Sequence, residues 1–411
     1  MAKNSLAVGL DIGSSSIKVV AGIRREGRNR LNVLGVSIVP SRGLRKGAII
    51  EPEETAQAII QAIEEAERMA GEPIESATIG IGGTGINSLN SRGVVAISRA
   101  DGEVVEDDIE RVIEAAAAIA VPSNQEILQV IPRYFTIDDQ GNIRDPLGMR
   151  GIRLEVDAHI ITGQINSLKN LTKTVDQASI DIEKRVPVML AAAEAVLDKE
   201  QKEAGVLLVD FGSNSTSLAV FEEGALLHTA ILAAGSAHIT NDIAIGLRTS
   251  LETAERVKLE YGSALARQVG LRETIDLASL STQDKHQVSR HQIARIIEAR
   301  AEEILYMIRE ELKNIERDGM LPAGVVFTGG GAKLPGLLDL AKEKLGLAVN
   351  LGFPHELDGI MDRVDDPTFA ASVGLMHFSG EHSNGKFFFR SLSFSSVGGS
   401  LRDWFRSFLP K

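Results

Sequence analysis

The stretch that decides the fold is GLDIGSSSIKVV, residues 9–20, because it returns in a related form as LVDFGSNSTSLAV, residues 208–220. In each copy an apolar strand runs into an aspartate, an apolar residue, a glycine and a serine before a second strand begins. No packing requirement asks for this order twice. The repeat therefore predicts two similar halves, each opened by a strand–turn–strand hairpin, at residues 11–18 and 210–217.

Both turns have the composition of a phosphate-binding loop. Small residues let backbone N–H groups converge on an anion, and the serine hydroxyls add donors. Asp11 and Asp210, each at the end of a buried strand, are placed to hold a hydrated Mg²⁺, which needs only one or two protein carboxylates. One copy alone would be read as an ordinary hairpin turn, whereas two copies favour a two-sided phosphate clamp. The residues predicted for the clamp are Asp11, Gly13, Ser14, Ser15, Ser16, Lys18, Asp210, Gly212, Ser213, Asn214, Ser215 and Thr216.

A third glycine-rich turn lies in residues 327–336, FTGGGAKLPG. Its triple glycine separates an apolar strand from a helix, so the backbone can lie against a flat ligand such as adenine. A glutamate and a lysine on adjacent turns of a predicted helix could reach the base or ribose, but a solvated i, i+3 pair explains their spacing equally well. The nucleotide-binding residues predicted in these two regions are Gly329, Gly330, Gly331, Lys333, Glu255 and Lys258.

Composition limits the functions open to the chain. Its 411 residues carry a formal net charge of −12, which argues against nucleic acid as a partner, because nucleic-acid phosphates are bound by clustered Lys and Arg. The absence of cysteine excludes disulfides, thiolate zinc sites and cysteine nucleophiles. The sequence shows neither a signal peptide nor an apolar run long enough to span a bilayer. We therefore expect a cytoplasmic protein with at least two domains.

Periodicity predicts an α/β architecture. Apolar positions at helical spacing predict helices at residues 53–70, 101–119, 167–178, 187–199, 236–248, 251–261, 290–317 and 367–378. Short apolar or alternating runs predict strands at residues 6–10, 17–23, 31–39, 76–82, 93–97, 155–162, 206–209, 217–221 and 324–328.

These features resemble the actin/Hsp70/sugar-kinase ATPase superfamily and, more narrowly, the FtsA family of bacterial cell-division proteins. The narrower resemblance depends on GAII (47–50), LAAAEAVL (190–197), AGSAHITNDIA (234–244) and RTSLETAERVK (248–258). It runs from about residue 6 to about residue 378 and adds Gly235 to the expected nucleotide-binding residues.

The resemblance implies an actin-like two-domain fold that binds ATP and Mg²⁺ between its domains and polymerises into filaments. It assigns residues 1–81 and 164–203 to the first domain, 82–163 to an inserted subdomain of the 1C type, and 204–378 to the second domain. Proteins of this family bind the C-terminal tail of the tubulin-like FtsZ and tether its ring to the cytoplasmic face of the cell membrane at the septum. They also help to recruit later division proteins.

The chain departs at two places from the family that it resembles. Ser213 and Asn214 occupy positions where glycines are usual. Because their side chains are larger, they limit how closely the backbone can approach a phosphate. Related ATPases often carry a carboxylate or glutamine before the proline of the connecting helix, where it positions the attacking water. Val186 precedes Pro187 here. Because valine cannot orient water, we expect weak or absent hydrolysis and assign no catalytic residue.

The C-terminus predicts a membrane-binding helix. Residues 379–399, rich in Ser, Gly and Asn, predict a flexible linker, and residues 400–411 follow with an apolar stripe at helical spacing and basic residues beside it. Aromatic and basic residues favour an anionic membrane surface, although the helix could instead dock on the protein itself. The predicted membrane-binding residues are Leu401, Arg402, Trp404, Phe405, Arg406, Phe408 and Leu409.

Two other functions remain open at this stage. A sugar or acid kinase of the same superfamily would need a general-base aspartate near its acceptor hydroxyl and has no use for an amphipathic tail. An actin homologue of pilus assembly shares the inserted subdomain but is normally shorter and lacks the tail.

Overall fold

The computed structural model describes residues 6–24, 30–45, 47–280 and 286–379. The first half opens with an antiparallel meander, after which a helix leads to a parallel strand. Its elements are β1 (Ala7–Ile12), β2 (Ser16–Arg24), β3 (Leu31–Pro40), β4 (Leu44–Arg45), β5 (Ala48–Ile49), α1 (Pro52–Ala70) and β6 (Ser76–Ile81). Pro52 suits the start of α1, because a residue in the first turn needs no partner for its backbone nitrogen.

The next residues form a small sheet of their own, covered by one helix. Its elements are β7 (Ile86–Ala96), α2 (Glu106–Ala117), β8 (Gln125–Ile137), β9 (Gln140–Ile143) and β10 (Arg153–Gln164). The strands pair antiparallel in the order β7-β10-β8-β9. Ile109 and Val112 of α2 share an apolar core with Val156 and Ile160 of β10, so the helix covers one face of this sheet.

The chain then returns to the first sheet. The elements of this return are α3 (Ile165–Gln177), β11 (Asp181–Pro187), α4 (Val188–Val196) and α5 (Lys199–Ala204). The single helix predicted at residues 187–199 ends at Val196. Leu197 is extended, and the Asp198 side chain accepts a hydrogen bond from the Gln201 N–H, which starts α5.

The second half repeats the opening meander. Its elements are β12 (Val206–Phe211), β13 (Thr216–Glu222), β14 (Ala225–Leu232), α6 (Ser236–Leu247), α7 (Leu251–Tyr261), β15 (Thr274–Asp276), β16 (Gln287–Ser289), α8 (Arg290–Asn314), β17 (Val325–Thr328), α9 (Leu337–Leu345), β18 (Val349–Leu351), β19 (Leu357–Gly359) and α10 (Ala370–Phe378). Helix α7 has the predicted bounds, and the Ser250 side chain caps it by accepting from the Thr253 N–H.

The two large sheets share an order of five strands. It is β3-β2-β1-β6-β11 in the first sheet, which β19 extends beyond β3, and β14-β13-β12-β17-β18 in the second. In each, the central strand pairs antiparallel with its hairpin partner and parallel with a later strand. The predicted architecture of two similar halves is therefore confirmed, and the duplication covers whole sheets.

The last elements of the chain cross back to the first half. Strand β19 pairs parallel with β3, and α10 packs against α4 and β1, so the end of the stretch predicted as the second domain adds to the first sheet. The Ser379 hydroxyl accepts from the Val8 N–H at 3.0 Å and donates to Glu183 at 2.7 Å. The domain boundaries stay predictions. Apart from Ser379, the predicted linker and the predicted helix at residues 400–411 lie outside the described residues.

Other predicted bounds differ by a few residues. The helix predicted at residues 101–119 starts at Glu106, because the Asp108 carboxylate accepts from the Val105 N–H and so marks the helix start there. The strand predicted at residues 93–97 is the longer β7, Ile86–Ala96. Among the described helices, none is both long and apolar enough to span a membrane.

Candidate functional site

The two hairpin turns have the same backbone geometry. The Gly13 N–H donates to the Ser16 carbonyl at 3.1 Å, and the Gly212 N–H donates to the Ser215 carbonyl at 3.1 Å. A Cβ added to either glycine would lie 2.8 or 2.9 Å from the accepting carbonyl, closer than real Cβ atoms come. Both turns therefore require glycine, and the repeat in the sequence is a repeat in structure.

The strand registers show how the two aspartates differ. Lys18 lies opposite Asp11, and its ammonium group donates to the Asp11 carboxylate at 2.8 Å in a buried ion pair. The residue opposite Asp210 is Ser217, which carries no charge. One aspartate is thus neutralised by a cation of its own hairpin and the other is not.

The surroundings of Asp210 raise the pKa of its carboxyl group. Burial, and next the negative charge of Asp11, raise the pKa of Asp210 to about 7, while Lys18 acts weakly in the opposite direction. A carboxylate shifted by burial and a like charge is a common mark of a functional site. The carboxylates of Asp11 and Asp210, which both line the space between the hairpins, therefore favour the binding of a positive charge there.

A cavity of about 570 Å³ lies between the hairpins, at the ends of β1, β6, β12 and β17. This volume is within the range of ligand pockets, about 300–1,000 Å³. The residues predicted from the sequence that line it are Asp11, Gly13, Ser14, Ser15, Lys18, Asp210, Gly212, Ser213, Asn214, Ser215, Glu255, Lys258, Gly329, Gly330, Gly331 and Lys333.

Three predicted residues, Ser16, Thr216 and Gly235, do not line the cavity. Thr216 is fully buried, and its hydroxyl donates to the Ala234 carbonyl at 2.7 Å. Ser16 contributes its carbonyl to the first turn. A Cβ on Gly235 would lie 2.5 Å from the Ser213 carbonyl. These residues shape the loops that face the cavity.

The triple-glycine turn lies directly against the second hairpin. Gly329 has φ 82° and ψ 165°, a conformation that is essentially restricted to glycine. A Cβ there would lie 2.4 Å from Asp210 Oδ1 and 2.9 Å from the Phe211 carbonyl. Beyond the turn, Lys333 forms an ion pair with Asp366. The turn therefore passes directly beside the Asp210 carboxylate, where only glycine fits.

We expect Gly329→Ala to lower the free energy of unfolding by about 1–3 kcal/mol, because the new methyl group strains the backbone and displaces the Asp210 side chain. Gly330→Ala is the matched control, since its Cβ would meet nothing nearer than Thr368 at 3.8 Å. Urea unfolding of both variants measures the difference. Equal stabilities would contradict the close approach of Gly329 to Asp210.

Glu255 and Lys258 form a network beside the cavity in which the lysine is buried and the glutamate is partly exposed. The Lys258 ammonium group donates to Glu255 at 2.7 Å and to the Thr240 hydroxyl at 2.9 Å, and the Thr240 hydroxyl also bonds Glu255. Lys258 is 7% exposed and so does not lie on a solvated helix face, whereas the Glu255 side chain is 42% exposed. The network presents fixed polar groups to the cavity.

Several lining residues were missed by the sequence reasoning. The run GGTG, residues 82–85, follows β6 as the triple glycine follows β17, and the same rule could have found it. Ser217, opposite Asp210, faces the cavity in the position that Lys18 has in the first hairpin. Gln164 and Thr368 come from distant parts of the chain and carry no local signal.

The residues present fit a nucleotide with Mg²⁺. No cluster of three histidine or acidic side chains that could hold a metal alone occurs in the parts of the chain described here. Two facing carboxylates suit Mg²⁺, which completes its coordination with water and phosphate oxygens. Asp11 and Asp210 would hold the ion, and when bound it would neutralise phosphate charge. The glycine turns leave room for phosphates and base.

Val186, which the sequence places before Pro187, is buried in the core at 2% exposure and does not line the cavity. Val188 lines it instead. The acidic residues that line the cavity are Asp11, Asp210 and Glu255, and Lys18 and Lys258 already engage two of them.

Comparison with known proteins places these features in one family. A sequence model described as "Cell division protein FtsA" matches residues 207–374, and one described as "SHS2 domain inserted in FTSA" matches residues 83–162. The cell division protein FtsA of Bacillus subtilis is 41% identical over 379 residues, 92% of this chain and 84% of its own. That of Pseudomonas aeruginosa is 40% identical over 374 residues, 91% of this chain and 89% of its own. That of Escherichia coli K12 is 32% identical over 413 residues, 98% and 97%.

Solved structures share the fold. The PilM–PilN type IV pilus biogenesis complex matches with a TM-score of 0.67 at 19% identity, over 91% of this chain and 98% of that chain. MreB5 of Spiroplasma citri bound to ADP matches with a TM-score of 0.52 at 14% identity, over 90% and 95%. At such identities the likeness shows the fold alone. The predicted actin-like fold with an inserted subdomain is confirmed.

Proposed function

Because the chain belongs to the FtsA family of bacterial cell-division proteins, we propose that it binds ATP and Mg²⁺ in the cleft, polymerises, and tethers the FtsZ ring to the membrane. The observation that carries the nucleotide proposal is a pair of hairpin turns that share the same backbone hydrogen bond. Each turn is preceded by an aspartate, and both turns line one cavity. MreB5, which shares the fold, was solved with ADP and with AMPPNP.

We assign the phosphates to the hairpin turns and the base to the triple-glycine turn. Backbone N–H groups and hydroxyls of Ser14 and Ser15 on one side, and of Ser213 on the other, face the cavity and can donate to phosphate oxygens. The Glu255–Lys258 network is fixed in position to meet a ribose hydroxyl. Slow hydrolysis follows if no side chain orients water, and the burial of Val186 supports that proposal.

The membrane and partner roles follow from the family and from the C-terminal sequence. The apolar stripe of residues 400–411 supports weak binding to anionic lipid, which polymerisation strengthens by avidity. The partners proposed are the FtsZ C-terminal tail, further copies of this chain, and later division proteins. The proposed location is the cytoplasmic face of the cell membrane at the septum. The pilus and kinase alternatives lose support, since the sequence relatives at 32–41% identity are FtsA proteins.

Co-sedimentation with phosphatidylglycerol-containing liposomes tests the tether. With Mg·ATP, we expect the full chain to pellet with the liposomes and to carry a labelled FtsZ tail peptide with it. Deletion of residues 400–411 should lower liposome binding by about tenfold or more, because the apolar surface is lost, while peptide binding persists. A truncated chain that pellets as the full chain does would contradict the anchor.

A matched pair separates the apolar stripe from general charge effects. Phe405→Asp places a charge on the predicted stripe, and Ser407→Asp places the same charge beside it. We expect only the first to release the chain from liposomes. Equal losses in both variants would indicate a charge-driven interaction without an amphipathic helix.

A further inference from the structure

The sheet and helix between β7 and β10, residues 86–164, are called the insert from here on. The insert contacts the second half through polar side chains that are buried or partly buried. His159 Nε2 lies 2.9 Å from Thr229 Oγ1 of β14, and His159 Nδ1 lies 2.8 Å from Asn90 Oδ1. The Ser88 hydroxyl donates to the Thr229 carbonyl at 2.7 Å. We call these four residues, Ser88, Asn90, His159 and Thr229, the latch.

The latch is held by an uncharged histidine. His159 is 1% exposed, and burial, followed by the charges of His228 and Arg133, lowers its pKa to about 3. With its proton on Nδ1, the neutral ring donates to the Asn90 carbonyl oxygen and accepts from the Thr229 hydroxyl. Both ring nitrogens are then paired, Nδ1 with Asn90 inside the insert and Nε2 with Thr229 across the contact, and the pairing does not change near neutral pH.

A second group of contacts lies where the end of α5 meets the turn between β13 and β14. The Arg144 guanidinium forms a forked pair with Glu203, at 2.9 Å to each oxygen, and donates to the Glu223 carbonyl at 2.5 Å. The Tyr134 hydroxyl donates to the Glu223 carboxylate at 3.2 Å. These pairs are exposed to solvent and stabilise the contact only weakly, but they join the insert to the end of α5 and to the β13–β14 turn.

The docked face of the insert is not fully satisfied. Gln129 lies opposite Ile161 in the sheet, on the same face as His159, and its Oε1 has no hydrogen-bond partner. Arg133 Nε nearby is also buried without a partner. An unpaired buried polar atom destabilises the docked arrangement, which offsets part of what the latch contributes.

Both connections of the insert to the first half pass along the cleft. Residues 82–86 lead from β6 into β7, and Gln164 ends β10, and all of them line the cavity. Gly83 also faces the β4–β5 hairpin, since a Cβ on it would lie 3.3 Å from the Gly47 carbonyl. A ligand in the cleft would therefore contact both segments that connect the insert to the first half.

We propose that the insert is a nucleotide-responsive bridge, docked on the second half through the latch when the cleft holds nucleotide and released when it does not. The inference rests on the proposed nucleotide binding. A nucleotide bound by both hairpins favours a close approach of the two halves. The latch favours the same approach, because it joins the insert, which is connected to the first half, to the second half. Two constraints that favour one arrangement strengthen each other, and the coupling is reciprocal.

A disulfide across the latch tests the coupling directly. The chain has no native cysteine, so Ser88→Cys with Thr229→Cys introduces a single possible pair, on strands that already approach each other. We expect the oxidised protein to bind Mg·ATP about tenfold more tightly than the reduced protein, and Mg·ATP to favour disulfide formation by the same factor. Calorimetry and non-reducing gels measure the two effects. Wild-type protein treated with the same oxidant controls for the oxidant itself.

A second pair of variants opens the latch without a crosslink. Thr229→Val removes the hydroxyl that His159 accepts from and is expected to weaken Mg·ATP binding. Thr162→Val is the control, because this equally buried hydroxyl donates to Gln125 inside the insert. Equal Mg·ATP affinity in the oxidised and reduced double-cysteine protein would overturn the bridge and leave nucleotide binding intact. No Mg·ATP binding by the wild type would overturn the proposed function and the bridge with it.

Discussion

Asp11→Asn is expected to lower the free energy of unfolding by about 3 kcal/mol, because it leaves the Lys18 ammonium group buried without a counter-charge. It is also expected to abolish tight Mg·ATP binding, because one of the two carboxylates proposed to hold Mg²⁺ is lost. Lys18 and Asp11 are only 7% and 8% exposed, and their ion pair lies at the wall of the cavity. The estimate is at the lower end for a broken buried pair, since water in the cavity reaches this wall. Urea unfolding and calorimetry measure the two losses.

A double variant separates stability from binding. Adding Lys18→Met to Asp11→Asn removes the uncompensated charge and should restore most of the lost stability, since replacing both members of a buried pair is often neutral. It should not restore Mg·ATP binding, because the carboxylate is still missing. If Asp11→Asn alone were as stable as the wild type, the ion pair would have no structural role.

The strand alternation explains which site residues the sequence could supply. Side chains on a strand alternate between faces, so Lys18 and Ser217, each opposite an aspartate, point with those aspartates toward the cavity. Thr216 is one residue away and points into the core. The sequence reasoning treated the second turn as one run of donors and so included Thr216 and omitted Ser217. The register alone would have corrected both.

Other features could not be read from local sequence, because they depend on segments far apart in the chain. Strand β19 joins β3 across more than three hundred residues, and no pattern in Leu357–Gly359 indicates that partner. Gln164 and Thr368 line the cleft only because the halves fold around it. His159 reads as an isolated histidine in an apolar strand until β14 is placed beside it.

Asp210→Asn is expected to act in the opposite direction to Asp11→Asn on stability, although it also weakens Mg·ATP binding, by about tenfold or more. The folded-state pKa of Asp210 is raised from 3.8 to about 7, so the ionised carboxylate is disfavoured in the fold. Its effect on the wild type is absent below about pH 4, where the carboxyl is protonated in both states, and stability is lost as pH rises toward and through 7. Asparagine carries no charge to bury. Without Mg²⁺ and nucleotide, the variant should therefore have the higher Tm at pH 8, and the difference should shrink as the pH falls.

Mg·ATP should narrow the difference between the two proteins. At a hundred times the wild-type Kd, a ligand that binds only the folded state stabilises the wild type by about 2.7 kcal/mol, whereas a variant that binds tenfold more weakly gains about 1.4 kcal/mol. Thermal unfolding at pH 8 with EDTA, and again with excess Mg·ATP, gives the four values needed. A variant that is less stable than the wild type in EDTA would show that the charge of Asp210 is not a cost to the fold. A smaller difference with Mg·ATP than with EDTA would show that this aspartate contributes to ligand binding although it destabilises the protein without ligand.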